Sequence, residues 1–263
     1  MASPGTTLSP AFSWRHPPAL PIIVAHRGSS ALAPENTMAA FLQAVRDGAH
    51  AVELDVRLTN DDIPIVIHDS RLDRTTSGHG LVRDHDFLSV RKLDAGGWFR
   101  RDFTGERVPA LRDVLERLPG SIGVNIELKT TRRDRHGEFL ASAVCAAVQR
   151  CRAENRVLVS SFRHDLVRRT KEMLPEVAAA FLFHPLRRSG LLPLRTMRSA
   201  DAGMMVMSGA SIRKRTVGLA HGRGYLIGEY TVNTSRRLRR SLRFGVDAIF
   251  TNDPGRILKL MGK

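Results

Sequence analysis

The sequence predicts an α/β chain folded as a distorted (β/α)8 barrel, and three observations carry that prediction. Short apolar runs recur along the chain, separated by stretches long enough for helical crossovers. Polar residues suited to acid–base and metal chemistry stand at the C-terminal ends of several runs, where a barrel gathers its catalytic groups. The G-x-G-x-x-G loop of the rival fold, a doubly wound dinucleotide-binding sheet, is absent.

Residues 1–20, rich in Pro, Ser, Thr and Ala, predict a flexible leader ahead of one barrel domain over 21–263. Pro21 opens Ile22-Ile23-Val24-Ala25, a buried strand that ends at His26-Arg27-Gly28, where glycine permits a tight turn. Asn36 is the expected N-cap of a helix with Met38, Phe41, Leu42 and Val45 on its apolar stripe, closed by Gly48. His50 to Val56 is the second strand. Ile63 to Ile67 follows too soon for a crossover, which needs about a dozen residues, so it should return antiparallel as a hairpin arm. Residues 71–109, punctuated by Gly78, Gly80, Gly96, Gly97 and Gly105, predict a loop-rich insertion over the strand ends. A short helix over Leu111 to Leu118 is stopped by Pro119-Gly120, and Ile122 to Lys129 forms the third principal strand.

Further along, helices are expected over Glu138 to Arg152, Leu166 to Leu174, Ile212 to Gly222 and Arg236 to Phe244, with a last one from Pro254. Strands are expected over Arg156 to Ser161, Val177 to Phe183, Gly203 to Met207, Tyr225 to Val232 and Val246 to Thr251. Residues 184–200, mixing Arg with Leu and Pro, read as a loop with a broken helix, in preference to a surface-associating segment.

Composition narrows the function classes. The balance of 41 basic and 26 acidic residues gives +15, which favours anionic partners: phosphate esters, acidic lipid surfaces or nucleic acid. No nucleic-acid-binding motif accompanies the basic patches, so nucleic acid is not expected. No apolar run approaches a membrane span, and the N-terminus lacks the pattern of a secretory signal. Cys145 and Cys151 suggest neither a disulfide nor a metal clip, and a cytoplasmic location is expected.

The chemistry begins at Glu53 and Asp55. Two residues apart on a strand, they face the same side, where paired carboxylates repel unless a cation or shared proton lies between them. Hard divalent ions, Mg²⁺ or Ca²⁺, take such oxygen ligands. Other polar residues fall at the same predicted rim: His26 and Arg27, Glu127 and Lys129, Ser161, then Glu229, Tyr230 and Asn233, with His68 on the hairpin arm. A lone histidine there is more often structural, and Glu-x-Lys is commonly a salt bridge. Their joint placement at one rim argues for a site.

At these residues the chain resembles the glycerophosphodiester phosphodiesterases. The resemblance rests on His26-Arg27-Gly28, Pro34-Glu35-Asn36-Thr37, Glu53-Leu54-Asp55-Val56, His68-Asp69 and Leu72-Asp73-Arg74-Thr75-Thr76. It continues with Asn125-Ile126-Glu127-Leu128-Lys129, Ser161-Phe162, Thr231-Val232-Asn233 and Gly245 to Thr251, in the family's order. It implies a barrel that hydrolyses glycerophosphodiesters, such as glycerophosphocholine and glycerophosphoethanolamine, to glycerol 3-phosphate and an alcohol. It further implies that Glu53, Asp55 and Glu127 hold one divalent cation, that His26 and His68 are the acid–base pair, and that Arg27 and Lys129 bind phosphate. Three departures bear on substrate preference: Tyr230 stands where the family usually has Trp, Thr59-Asn60-Asp61-Asp62 loses a Lys and a Gly, and Thr251-Asn252 replaces Thr-Asp. Tyr230 is accordingly expected to touch substrate. Two alternatives stay open: a lysophospholipase D working at an anionic membrane through residues 184–198, and a non-catalytic anion-binding barrel.

Overall fold

The computed structural model describes residues 11–130, 137–183, 197 and 202–263. Apolar, β-branched-rich runs make the strands β1 (Ile22–His26), β2 (Ala51–Leu58), β3 (Pro64–Val66), β4 (Gly123–Leu128) and β5 (Val157–Ser161). They are followed by β6 (Ala178–Phe183), β7 (Met204–Ser208), β8 (Leu226–Tyr230) and β9 (Ala248–Thr251). All but β3 run parallel, and β1 pairs with both β2 and β9, which closes the sheet into an eight-stranded barrel. The predicted (β/α)8 architecture is the one observed. The hairpin arm is present too: β3 lies antiparallel on β2, with Val56 opposite Val66. That extra partner extends β2 to Leu58, two residues beyond its expected end.

The helices pack around the outside: α1 (Met38–Arg46), α3 (Leu111–Arg117), α4 (Gly137–Arg150), α5 (His164–Met173), α6 (Lys214–His221), α7 (Ser235–Phe244) and α8 (Pro254–Leu260). A short α2 (Phe87–Val90) lies within the insertion. Val52, Leu54, Val124 and Ile126 face Phe41, Leu115 and Val144 in one half of the outer core. In the other half, Ile23, Met205, Ile227 and Ile249 face Val217, Leu238 and Ile257. Residues of opposite parity (Ile22, Val24, Ala51, Leu158, Ala180, Met204, Ala248) fill the barrel interior.

One expectation needs correction and two gain detail. The leader is not loose throughout: Phe12 and Trp14 are 3% and 4% exposed and join the interior cluster. Phe12 occupies space left by Gly123, where an added Cβ would lie 2.5 Å from its ring, and Trp14 Nε1 donates to the Arg156 carbonyl at 2.8 Å. Two bulky aromatic rings find apolar surface at the barrel's lower end, and that outweighs the polar composition around them. The N-cap of α1 is Thr37, whose hydroxyl accepts from the Ala40 N–H, while Asn36 adopts φ 59° and turns inward. The insertion over 71–109 is not merely loop: Leu72, Val82, Val90, Ala95 and Val108 bury against Ile65 and Ile67 of the hairpin arm as a separate small core. The segment 184–200 lies outside the described residues apart from Met197, which is buried.

Candidate active site

Strand register assembles the site at the C-terminal ends of the strands. His26 lies opposite Glu53, and Asp55 opposite Glu127, in adjacent parallel pairs. Side-chain alternation then turns His26, Glu53, Asp55, Asn125, Glu127 and Ser160 toward the interior. Together with Arg27, His68, Lys129, Phe162, Leu182, Val206, Tyr230, Thr231 and Phe250, most of them line a cavity of ≈ 320 Å³. One wall is charged and the facing wall is apolar and aromatic, with the Phe162 and Tyr230 rings edge-to-face at 6.4 Å. Every residue singled out from the sequence as catalytic, substrate-binding or metal-ligating reaches this one place.

Glu53, Asp55 and Glu127 are all buried, and one carboxylate oxygen from each lies within 4.8 Å of the others. Burial, reinforced by Asp55 and Glu127, raises Glu53 well above the usual carboxylate range. Burial and Asp55 likewise push Glu127 up to about 7. Burial acts on Asp55 too, but Lys129 and Arg27 outweigh it and pull Asp55 down to about 2. Lys129 Nζ sits 2.7 Å from Glu127 Oε1 and 3.3 Å from Asp55 Oδ1, and Arg27 Nε is 3.2 Å from Asp55 Oδ2. Among the described residues, Asn125 Oδ1 makes no hydrogen bond and Asp55 Oδ1 meets only the Lys129 ammonium, at 3.3 Å. Three buried carboxylates crowded into an all-oxygen cluster fit a hard divalent cation.

The two histidines are held differently. His26 Nδ1 donates to Asn252 Oδ1 at 2.9 Å, leaving Nε2 as the other ring nitrogen. Burial, then the Arg27 charge, lowers His26 to about 4, so its imidazole is neutral at pH 7. His68 Nδ1 bonds the Asp69 carboxylate at 2.6 Å, and burial lowers it below its ordinary value against the opposing pull of Asp55.

Some rim candidates do not belong. Ser161 turns outward and donates to the Leu128 carbonyl, while its neighbour Ser160 faces the cavity. Glu229 points into the layer under α7, accepting from Arg240 Nη2 and Ser241 Oγ at 2.9 and 2.7 Å. Both err by one step of strand alternation, which a sequence reading of the strand end had not resolved. Asn233 lies behind the site: its Oδ1 accepts from the Asn252 N–H and so supports the partner of His26. Sequence reasoning assigned no site role to Asn36, Glu35, Asp69 or Arg74. Asn36 Nδ2 donates to Asp55 Oδ2 at 2.8 Å, and the Asp55 N–H returns a bond to Asn36 Oδ1. The signal available was a polar Glu-Asn pair just before a helix whose cap it did not need to be.

Comparison with known proteins agrees with this geometry. Residues 26–256 match the glycerophosphoryl diester phosphodiesterase family. The chain is 35% identical to a glycerophosphodiester phosphodiesterase of Caldanaerobacter subterraneus over 244 residues, covering 92% of this chain and 98% of that one. It is 35% identical to one of Bacillus altitudinis over 240 residues, covering 90% and 97%. Among solved structures, an Oleispira antarctica phosphodiesterase in complex with its product sn-glycerol-3-phosphate superposes with a TM-score of 0.86 at 28% identity, over 93% of this chain and 98% of that one.

Proposed function

The chain belongs to the glycerophosphoryl diester phosphodiesterase family and is a phosphoric diester hydrolase, and on that premise we propose that it cleaves small glycerophosphodiesters into glycerol 3-phosphate and a free alcohol. The observation that carries the reading is the meeting of three buried carboxylates, Arg27, Lys129 and two histidines around one cavity. A divalent cation, Mg²⁺ or Ca²⁺, held by Glu53, Asp55 and Glu127 would neutralise charge on the phosphate. Arg27 and Lys129 bind the non-bridging oxygens, and the apolar wall of Phe162, Leu182 and Tyr230 borders the space left for the organic groups.

His26, neutral and oriented through Nδ1 by Asn252, takes the proton from the glycerol hydroxyl next to the phosphorylated oxygen. That oxygen attacks phosphorus, the bond to the other alcohol breaks, and His68 Nε2 gives the departing oxygen its proton. Asp69 on Nδ1 favours the protonated imidazole that this step uses. Water then opens the cyclic glycerol phosphate with the roles reversed, so one water is consumed for each diester cleaved. Failure to trap a cyclic glycerol phosphate in single-turnover ³¹P NMR would count against the internal attack.

The reading itself is tested by choline release from glycerophosphocholine and, separately, lysophosphatidylcholine, with Mg²⁺, Ca²⁺ or EDTA. Metal-dependent release from the first is expected. Release mainly from the second would shift the function to lysolipids. Release from neither would call for a screen of other glycerophosphodiesters, and inactivity on all of them would overturn the reading. The segment 184–198, which carried the membrane alternative, lies outside the described residues apart from Met197, and no helix among those described is long and apolar enough to cross a membrane.

A further inference from the structure

The insertion sends one side chain back to the site. Arg74 donates from Nη2 to Glu35 Oε1 at 2.8 Å, from Nη1 to Glu35 Oε2 at 2.9 Å, and from Nε to Asp69 Oδ2 at 2.6 Å. Each carboxylate leads to one half of the site. Glu35 also accepts from Arg27 Nη1 at 2.9 Å, and Asp69 Oδ1 meets His68 Nδ1 at 2.6 Å. One guanidinium therefore stands between the phosphate-binding arginine and an acid–base histidine. Its fork geometry suits the task, since a planar group with five donors can hold two carboxylates at once while an ammonium cannot fix their planes.

The loop is built to keep Arg74 there. Leu72 is fully buried in the small core of the insertion, Thr75 and Thr76 are buried, and the Thr76 hydroxyl and N–H both bond the Leu72 carbonyl. This turn pins the backbone on both sides of Arg74. The local electrostatics agree: the Arg74 hydrogen bond, more than any other influence, holds Asp69 at about 2, so it accepts from His68 as a full carboxylate. Burial would raise Glu35, but bonds from Arg74 and Arg27 hold it below its ordinary value. The neighbouring Arg71, by contrast, pairs among the described residues with Asp73, on the surface.

We propose that Arg74 is a positioning residue for phosphodiester cleavage, clamping Arg27 through Glu35 and fixing the ring of His68 through Asp69. The inference rests on the functional reading above. It gives the insertion a part in catalysis beyond its packing on the hairpin arm.

Steady-state kinetics on glycerophosphocholine test it, with Arg74→Ala, Glu35→Gln, Asp69→Asn, the double variant Arg74→Ala/Asp69→Asn, and Arg71→Ala as the control. Outer-shell partners of this kind are worth about 10–100-fold in activity. Glu35→Gln is expected to raise KM, Asp69→Asn to lower kcat, and Arg74→Ala to do both, with melting temperature little changed. The double variant should lose no more kcat than the worse single one, because both act through one ring. Arg71→Ala should match the parent. Activity of Arg74→Ala within twofold of the parent, or kcat losses that multiply in the double variant, overturns the proposal. ¹⁵N NMR of the His68 ring supplies a readout free of turnover: Arg74→Ala should weaken the Nδ1–H signature, and an unchanged ring overturns the clamp. A parent enzyme inactive on every diester overturns the functional reading instead, with the NMR still deciding the geometry.

Discussion

Glu53, Asp55 and Glu127 show how a residue's charge state is decided by its neighbours. The three belong to one cluster, yet Asp55 lies between Lys129 and Arg27 and stays ionised, while Glu53 and Glu127 are pushed up by burial. Glu127→Gln should therefore lower kcat/KM by ~10³-fold, since charge stabilisation of this kind is worth several kcal/mol. In EDTA at pH 8 the same change should raise the melting temperature, because it removes a repelling carboxylate, and calorimetry reads this directly. Asn252 orients the His26 ring through Nδ1, while burial and the Arg27 charge keep it neutral. Asn252→Asp would place a carboxylate on Nδ1, favour the imidazolium and raise the His26 pKa. The acidic limb of the kcat/KM profile should then move up by about one pH unit, because the base stays protonated to higher pH. At this scale the sequence was legible where a motif picked out residues that meet at one cavity, as at His26, Glu53 and Lys129. It left the bond of Asn36 to Asp55 unread, because a contact across 19 residues leaves no local pattern.

Among elements, strand alternation does most of the sorting. Consecutive residues of β8 illustrate it: Glu229 goes to α7 and Tyr230 to the cavity. The turn after β1 is equally strict. Gly28 adopts φ 80°, and a Cβ there would lie 2.6 Å from the Ala40 backbone, so α1 packs directly on the loop that bears Arg27. At the opposite end, the stretch around Phe12 and Trp14 plugs the barrel. Trp14→Ala should cost about 3–5 kcal/mol on denaturant unfolding, as for other buried large side chains, while kcat at low temperature stays near the parent value. A comparable loss of kcat and stability would show that the plug also shapes the catalytic end. The elements themselves were predictable from periodicity and punctuation, with errors of a residue or two at their ends. The plug was not, since two aromatics in a Pro/Ser stretch show no period.

For the whole molecule, the buried carboxylates should make stability depend on pH and, on the proposed reading, on a divalent cation. Glu127 ionises near its ordinary 4.5 when unfolded and at about 7 when folded, so the folded state holds the proton more tightly. Its contribution is fully present below the unfolded value and is lost as pH rises through about 7. Measured against Glu127→Gln, the metal-free parent should accordingly lose melting temperature between about pH 4.5 and pH 7, while His26, lowered to about 4, adds stability with rising pH in both proteins and cancels in the difference. A saturating divalent cation, binding the ionised carboxylates of the folded state alone, should offset that fall. A melting temperature indifferent to Mg²⁺ and Ca²⁺ at pH 8 would argue that the cluster holds no such ion. The excess of 41 basic over 26 acidic residues leaves an anionic substrate approaching a favourable field, and its effect on association should weaken with salt.

By itself the sequence determined the barrel, its hairpin arm and the polar residues that meet at one cavity. Hydrophobic periodicity, turn residues and motif order are local properties, written along the chain. Only the tertiary structure decided which face Ser161 and Glu229 present, that Phe12 and Trp14 close the barrel, and that Asn36, Glu35, Asp69 and Arg74 brace the site. Those outcomes depend on strand register and on contacts between distant segments, and such contacts are chosen by what the folded core leaves room for.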